Sequence, residues 1–388
     1  MSVAPHGGRL VDRVLGDAER GRRESELADL PKLTPHVDAV YDAEKIAIGA
    51  YSPLEGFMGG AEFDSVAEKG VLSSGLPWTI PIVLAPNPKS WGPVPSGLKS
   101  GDDVALLDRA GHFFALFHLE EKFRLDHQKF AKGAYGTTDT AHPNVADIVE
   151  LGPEGWGGRV DLLRRLDYPH GAFELTPKET REAFARMGWK RVAAYQCRNP
   201  PHTAHEYLQR LTLDREDVDG LFIHPVVGRL KRGDYKPEVI LRSYEALVSA
   251  YYPATRVLLA GFSITMRYAG PKAAVFLAIV RKNFGCGLYI VGRDQAGVGK
   301  FYDPYACHRI FDEVDVGVTP LRYEETFFCR RCGWMATTKT CAHPTTDRIA
   351  TSQTRIREAL AAREPLPTEV IRPEVAAILS GTEGVLSE

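Results

Sequence analysis

A surplus of charge is the first thing this chain lacks. Across 388 residues, 48 Lys and Arg stand against 50 Asp and Glu, a formal net charge of −2. So even a balance argues against a general nucleic-acid or membrane-surface binder, which needs excess positive charge to meet phosphate. No run approaches the roughly 18 consecutive apolar residues of a membrane span. Met1 to Arg23 is polar and charged, without the apolar core of a signal peptide. Cysteine is sparse as well. Six in a chain this long do not make a secreted disulfide scaffold, so a reduced, cytoplasmic setting is expected. Nor is there a Ser-His-Asp or paired-carboxylate arrangement of the kind that supports nucleophilic or carboxylate catalysis.

What remains is the composition of a globular protein, 44% hydrophobic and 25% charged, in a length that suggests two or three domains. The most informative stretch runs from Tyr195 to Glu206. Before it, Lys190 to Tyr195 reads as a buried strand; after it, Ala204 to Leu213, with Leu208, Leu211 and Leu213, reads as an amphipathic helix. Asn199 is expected as N-cap, with Pro200 and Pro201 at opening positions where a missing N–H costs nothing. Free N–H groups and the helix dipole at such an end attract anions. Onto it the sequence adds Arg198 and two histidines, His202 and His205, spaced to share one helix face. Alone, these residues describe a solvated helix start more readily than a catalytic centre. The whole string decides.

Gln196-Cys197-Arg198-Asn199-Pro200-Pro201-His202-Thr203-Ala204-His205-Glu206 resembles the phosphate-binding signature of the ATP sulfurylase family, relatives of the HxGH-type nucleotidyltransferases. Three more loops resemble that family in order. His224 to Asp234 does so with Leu230 where threonine is usual. Arg267 to Lys272 opens a helix in which Lys272, Ala273 and Leu277 replace arginine, glutamate and histidine. Gly292-Arg293-Asp294-Gln295-Ala296-Gly297 carries Gln295 in place of histidine. Ser52 to Met58 and Gly136 to Pro143 also resemble the family's N-terminal region, which is PUA-like. No P-loop is present, so a fused kinase for adenylyl sulfate is not expected.

Read in order, the chain divides into three. Residues 1–170 are expected to form an N-terminal PUA-like β-barrel domain with little helix, after a mobile lead-in of about 30 residues. Its short β-like runs include Trp78 to Leu84, Asp103 to Leu107 and His112 to Phe117. Although a PUA-like fold alone would suggest RNA, no basic patch with interleaved aromatics supports that. Residues 171–326 alternate strand-like and helix-like runs, from a capped helix at Thr176 to a strand at Gly287 to Val291. They predict a Rossmann-like parallel α/β domain with sites at the C-terminal strand ends, which the resemblance implies is the catalytic nucleotidyltransferase domain. Residues 327–388 form a small C-terminal zinc-binding and helical domain, with helices expected over Thr351 to Ala362 and Pro373 to Leu379.

In that last section Cys329, Cys332, Cys341 and His343 offer three thiolates and an imidazole, a set that suits tetrahedral Zn2+. Spacing alone leaves open free buried cysteines. The resemblance favours metal, since some bacterial sulfurylases carry a zinc-binding insertion here, and the set reads as structural, with no open position.

The resemblance implies the reaction ATP plus sulfate giving adenylyl sulfate plus diphosphate, with Mg2+ accompanying ATP. It implies that Gln196, Arg198 and the backbone at Ala296 hold sulfate, that Arg198, Asn199, His202 and His205 hold the ATP phosphates, and that Gly292, Arg293, Asp294 and Gln295 line the nucleotide. Cys197, commonly threonine in the family, reads as a tolerated small residue rather than a reactive thiol. Gln295 cannot supply the charge of an imidazolium. The expected partners are small molecules, without nucleic acid or membrane, and a homo-oligomer is expected. Two other readings stay open: a related nucleotidyltransferase acting on a different anion, and an RNA-binding protein built on the PUA-like and zinc modules.

Overall fold

Five parallel strands form the central sheet, in the order Thr319–Arg322, Leu288–Val291, Val192–Tyr195, Gly220–Ile223, Val257–Leu259. This is a computed structural model; it describes residues 3–229, 232–382 and 384–387. The three inner strands are buried at every position, as strands covered by helices on both faces must be. Val192–Tyr195 comes first in sequence and lies in the middle. Its partners on one side follow directly, while on the other side lies the fourth strand, Leu288–Val291. The chain therefore reverses its direction of travel across the sheet between those two strands. Such a switch point leaves a crevice beyond the strand C-termini, where the next loops diverge. The loops in question are those beginning at Gln196 and Gly292.

Helices Pro177–Arg186, Thr203–Leu213, Pro237–Tyr251 and Pro271–Asn283 cover the sheet. The first is fixed by a reciprocal capping box between Thr176 and Glu179, and three of the four carry Pro in their first turn. The Thr203–Leu213 helix differs from expectation at its start. Its N-cap is His202, whose Nδ1 accepts from the His205 N–H, whereas Asn199 lies three residues upstream. A residue before proline avoids the α region, so Pro200 and Pro201 keep Asn199 and Pro200 extended and postpone the helix.

The N-terminal region holds a five-stranded sheet in the order Lys32–Leu33, Asp103–Leu107, Phe113–Arg124, Glu154–Leu162, Gly56–Phe57. Among the described residues this order has two ends and does not close into a barrel. The expectation of little helix is corrected too. Asp17–Leu27, Val37–Ala47, Gly60–Lys69, His127–Tyr135 and Pro143–Val149 are all helical. Their short apolar stripes, broken by Gly and Pro, mimic β-like runs. Trp78 to Leu84 is buried as expected, yet Pro81 interrupts it and only Leu84 bridges to a strand residue, Trp156. Nor is the lead-in mobile. Arg13 and Leu15 bond to backbone at Ala47 and Leu162, and His6 and Leu27 are buried.

Charged groups buried with their partners join this region to the central one. Lys45 and Glu44, both fully buried, meet at 2.6 Å, and Lys45 also reaches Glu174 at 3.3 Å. Burial would raise the Glu44 carboxyl, but Lys45 and Arg165 hold it down to about 2. Beyond residue 326, Phe327–Cys329, Trp334–Ala336 and Arg348–Ala350 make a small antiparallel sheet. The helices Gln353–Ala362 and Pro373–Gly381 follow, close to expectation, and the second packs on Pro237–Tyr251. Among the described residues, no helix is long and apolar enough to cross a membrane.

Within the N-terminal sheet, the His118 ring bridges Asp103 at 2.6 Å and Asp161 at 2.8 Å. The bond to Asp161, opposed by burial and helped by Asp103, raises the imidazole above its ordinary value. A raised folded value stabilises fully below pH 6.5 and loses that contribution as pH rises through it. His118→Gln should therefore cost about 1–3 kcal/mol near pH 6 and much less near pH 9. Denaturant titrations of both proteins at the two pH values check this; a gap independent of pH would remove the charged bridge.

Candidate functional site

At the switch point lies a cleft of about 550 Å3, a size suited to a nucleotide-sized ligand. Gln196 to Asn199, His202 and His205 line one side, and Gly292 to Ala296 the other. The fold thus brings together every residue picked out from the sequence for the anion site. The loops touch where the Gln295 amide donates to Gln196 Oε1 at 3.4 Å and where Arg198 reaches the Gly297 carbonyl at 3.4 Å.

Gln295 does more than replace a charge. Its Oε1 accepts from the Gly292 N–H at 3.1 Å and its amide nitrogen also meets the Tyr289 hydroxyl, so it ties its own loop. That loop holds Asp294 and Ala296 at φ of 53° and 56°, a left-handed conformation unusual for residues with a Cβ. Such backbone persists only where its surroundings over-determine it. Here the Gly270 N–H donates to the Ala296 carbonyl at 3.0 Å, and the Asp294 N–H to Pro304 at 2.7 Å.

Arg198 is held in orientation while keeping donors spare. Its guanidinium lies 5.0 Å over the Tyr268 ring, and its Nε faces Asp234 at 3.9 Å, too far for a hydrogen bond. Asp234 is 1% exposed at its side chain and also accepts from Arg357 at 3.2 Å and from the Tyr268 hydroxyl at 2.9 Å. Arg357 in turn donates to the Asn199 side chain at 3.2 Å, which is where Asn199 is engaged instead of capping. Asp234, Tyr268 and Arg357 had no assigned role in the sequence. Asp234 and Tyr268 stand in segments that resembled the family, and that was the available signal; Arg357 stands in the helix expected over Thr351 to Ala362.

The two histidines stack face to face at 3.6 Å between centroids. Burial holds His202 down to about 4 and His205 well below the ordinary imidazole value, so both rings are neutral at pH 7. Because His202 Nδ1 accepts a backbone N–H, its proton is assigned to Nε2. Burial pushes the Cys197 thiol up to about 11, away from the thiolate form, and its sulfur is bonded to the Tyr244 hydroxyl at 2.8 Å.

Other basic residues of the flanking loops face away. Arg229 pairs with Asp38 at 2.6 Å and Asp147 at 2.9 Å, Arg267 with Asp42 at 2.6 Å, and Lys272 with the Gly133 carbonyl. The two arginine pairings line a second cavity of about 400 Å3 against the N-terminal region, whose arginine charges are mostly matched by carboxylates. Leu230 and Lys231 lie outside the described residues.

The far wall of the cleft comes from the C-terminal section. Thr338, Thr345 and Arg348 line it, and Arg348 stacks 4.3 Å over Phe327. Behind them, ligand atoms of Cys329, Cys332, Cys341 and His343 all lie within 4.8 Å of one another. His343 Nδ1 is 3.3 Å from the sulfurs of Cys329 and Cys332 and 3.6 Å from that of Cys341. Zn–S bonds of about 2.3 Å at tetrahedral angles place sulfurs about 3.8 Å apart, and Cys332 and Cys341 stand at 3.8 Å. The donor set and its spacing fit a metal ion of that kind.

A family model described as ATP-sulfurylase matches residues 171–382, and one described as PUA-like domain matches 3–165. The chain belongs to the ATP-sulfurylase family. Its members include a sulfate adenylyltransferase of Symbiobacterium thermophilum, 46% identical over 380 residues and covering 97% of this chain and 95% of that one. One from Aeropyrum pernix is 46% identical over 98% of each chain. Another, from Halothermothrix orenii, is 41% identical over 97% of this chain and 98% of its own. Among solved structures, a hexameric APS kinase from Thiobacillus denitrificans superposes with TM-score 0.76 at 24% identity, covering 98% of this chain and 68% of that chain, which bears on the fold alone. The N-terminal region is accordingly PUA-like and the protein is a transferase.

The neutral histidines generate a pH dependence. A folded value below the unfolded one stabilises above pH 6.5 and is lost as pH falls through the folded value. Stability should fall between pH 6.5 and 4, by about 3 kcal/mol for His202 alone, and His202→Asn should flatten that part of the curve. Denaturant midpoints measured at half-unit pH steps test this; parallel curves for the two proteins would show His202 protonated already.

Proposed function

We propose that the switch-point cleft catalyses ATP plus sulfate giving adenylyl sulfate plus diphosphate by direct attack of sulfate on the α-phosphorus. The observation that carries the reading is Arg198, held between the two loops by the Tyr268 ring, the Gly297 carbonyl and a long 3.9 Å contact with Asp234, beside a helix N-terminus. A dianion placed there meets a fixed cation, free backbone donors and a positive dipole end together.

Sulfate is ionised at neutral pH and needs no general base, in keeping with two neutral histidines and a protonated Cys197. A sulfate oxygen forms the new bond to phosphorus as the bond to the bridging oxygen breaks, and that electron pair leaves with diphosphate. Catalysis then rests on positioning and on support for developing charge. In this reading Gln196, Arg198 and the Ala296 backbone hold sulfate. Arg198, Asn199, His202 and His205 hold the ATP phosphates, the histidines as neutral donors. Gly292, Arg293, Asp294 and Gln295 line the nucleotide, and Arg348 adds a cation on the far wall. Mg2+ bound to ATP would supply charge neutralisation for the diphosphate leaving group.

Cys329, Cys332, Cys341 and His343 hold one structural Zn2+, which fixes that far wall. The division into 1–170, 171–326 and 327–388 belongs to the same reading; matches at 3–165 and 171–382 support the first boundary. A cytoplasmic setting and a homo-oligomeric assembly belong to the same reading.

Arg198→Ala tests the reaction. Loss of a charge-assisted contact in a dry site is worth roughly 2–4 kcal/mol, about 30- to 1000-fold in rate. Sulfate-dependent pyrophosphate release from ATP, and ATP formation in reverse, should both drop by that factor in folded protein. Activity within about threefold of wild type sinks the assignment.

The metal is tested separately. Purified protein should contain about one zinc per chain, and Cys332→Ser should lose it, melt earlier and bind ATP more weakly because Thr338, Thr345 and Arg348 lose their support. Zinc-free protein of unchanged melting temperature would rule the site out.

A further inference from the structure

We propose that the N-terminal region orients Arg198, acting through Tyr268, and that Asn144 and His142 are positioning residues for adenylyl transfer. The proposal rests on the reading of Arg198 given above. Tyr268 lies on the segment between Phe262 and Pro271, which contains no helix or strand and so cannot fix its own backbone. Partners from the N-terminal region fix it instead. The Asn144 side chain, 5% exposed, accepts from the Tyr268 N–H at 2.8 Å and donates to the Met266 carbonyl at 3.2 Å. Fully buried His142 bonds through Nε2 to the Tyr268 carbonyl at 2.9 Å. Since a carbonyl only accepts, that nitrogen carries the proton. The same N–H is shared with the Tyr302 hydroxyl at 3.1 Å, which donates onward to the Tyr135 carbonyl at 3.1 Å.

Between them, Asn144 and His142 engage both the N–H and the C=O of Tyr268. Arg267, one residue earlier, is clamped to Asp42 of the Val37–Ala47 helix by both carboxylate oxygens, at 2.6 and 2.7 Å. With its backbone pinned, Tyr268 has a defined reach. Its hydroxyl donates to Asp234, its ring lies beneath the Arg198 guanidinium, and two residues on the Gly270 N–H holds the Ala296 carbonyl of the opposing loop. One segment, held from the N-terminal side, therefore touches both halves of the cleft. Both His142 and Asn144 come from the Gly136 to Pro143 stretch and its first helical turn, whose resemblance to the family the reaction itself leaves unused.

Asn144→Ala should lower kcat for sulfate-dependent pyrophosphate release by about 10- to 100-fold, the scale for small misplacement of a catalytic group by a distant change. Assays are run on the full chain, well below each variant's melting temperature. The second readout is a double-mutant cycle. In an Arg198→Lys background, Asn144→Ala should cost less than about threefold further, because the group it orients is already altered. A merely structural Asn144 would lower the melting temperature and leave kcat unchanged in both backgrounds. If Asn144→Ala does not fold, Tyr268→Phe serves in its place, since it keeps the ring and removes only the hydroxyl from Asp234. Arg198→Lys alone at near wild-type activity would overturn the reading of the site. Arg198→Lys crippled, with folded Asn144→Ala or Tyr268→Phe within threefold of wild type or fully multiplicative in the cycle, would overturn the positioning proposal alone.

Discussion

Two guanidinium groups converge on one buried carboxylate, and the cleft depends on that meeting. Without Asp234, Arg198 and Arg357 would repel each other where solvent is scarce. With it, Arg357 is tied at 3.2 Å, while Arg198, at 3.9 Å, is held loosely enough to turn toward a ligand. The Asp234 backbone is itself held by the C-terminal segment: its carbonyl accepts from the Ser387 N–H at 2.7 Å, and the neighbouring Gly233 N–H donates to the Ser387 carbonyl at 3.0 Å. Three distant parts of the chain thus share one fixed point.

In the proposed reading, selectivity for an anion would come from how the cations are divided. Arg229 and Arg267 stand near the cleft in sequence and carry the same charge as Arg198, but each is matched to carboxylates on the N-terminal side. They contribute to joining the two regions rather than to attracting a ligand. Arg198 stands 3.9 Å from its carboxylate, beyond hydrogen-bond range, and the Arg348 Nε–H has no hydrogen-bond partner. A charge balance of −2 over the whole chain therefore says little about the local field; the pairing pattern decides it.

Much of this is legible in the sequence. The central alternation of strands and helices was clear because each run is short, apolar and bounded by Gly or Pro, and Pro237–Tyr251 falls where its periodicity puts it. The anion loops were legible because a strand, a turn and a helix start lie within one contiguous string. What escaped was what contiguity does not encode. Asp234 and Tyr268 act on Arg198 across long gaps in sequence, and no local pattern reports such contacts. The helix start was misplaced because Asn199 is a good cap in the wrong place: the two prolines after it outweigh its side-chain preference. In the N-terminal region, helices with few apolar positions beside long strands left a mixed period, and the mixture was read as strand alone.

The order of the central strands has a consequence for how the molecule comes into being. The loops that touch at Gln196 and Gln295 lie 99 residues apart, and they meet only because Leu288–Val291 docks beside Val192–Tyr195. Closing so long a loop is entropically costly and is not rewarded until the parallel strands pair. A chain emerging from synthesis can form its capped helices and its first two strands early. It acquires a cleft only when the fourth strand arrives, and a braced one only when Ser387 has found Asp234. A partly folded chain therefore offers helices and a hydrophobic sheet but no assembled anion site, so bound substrate stabilises the finished fold alone.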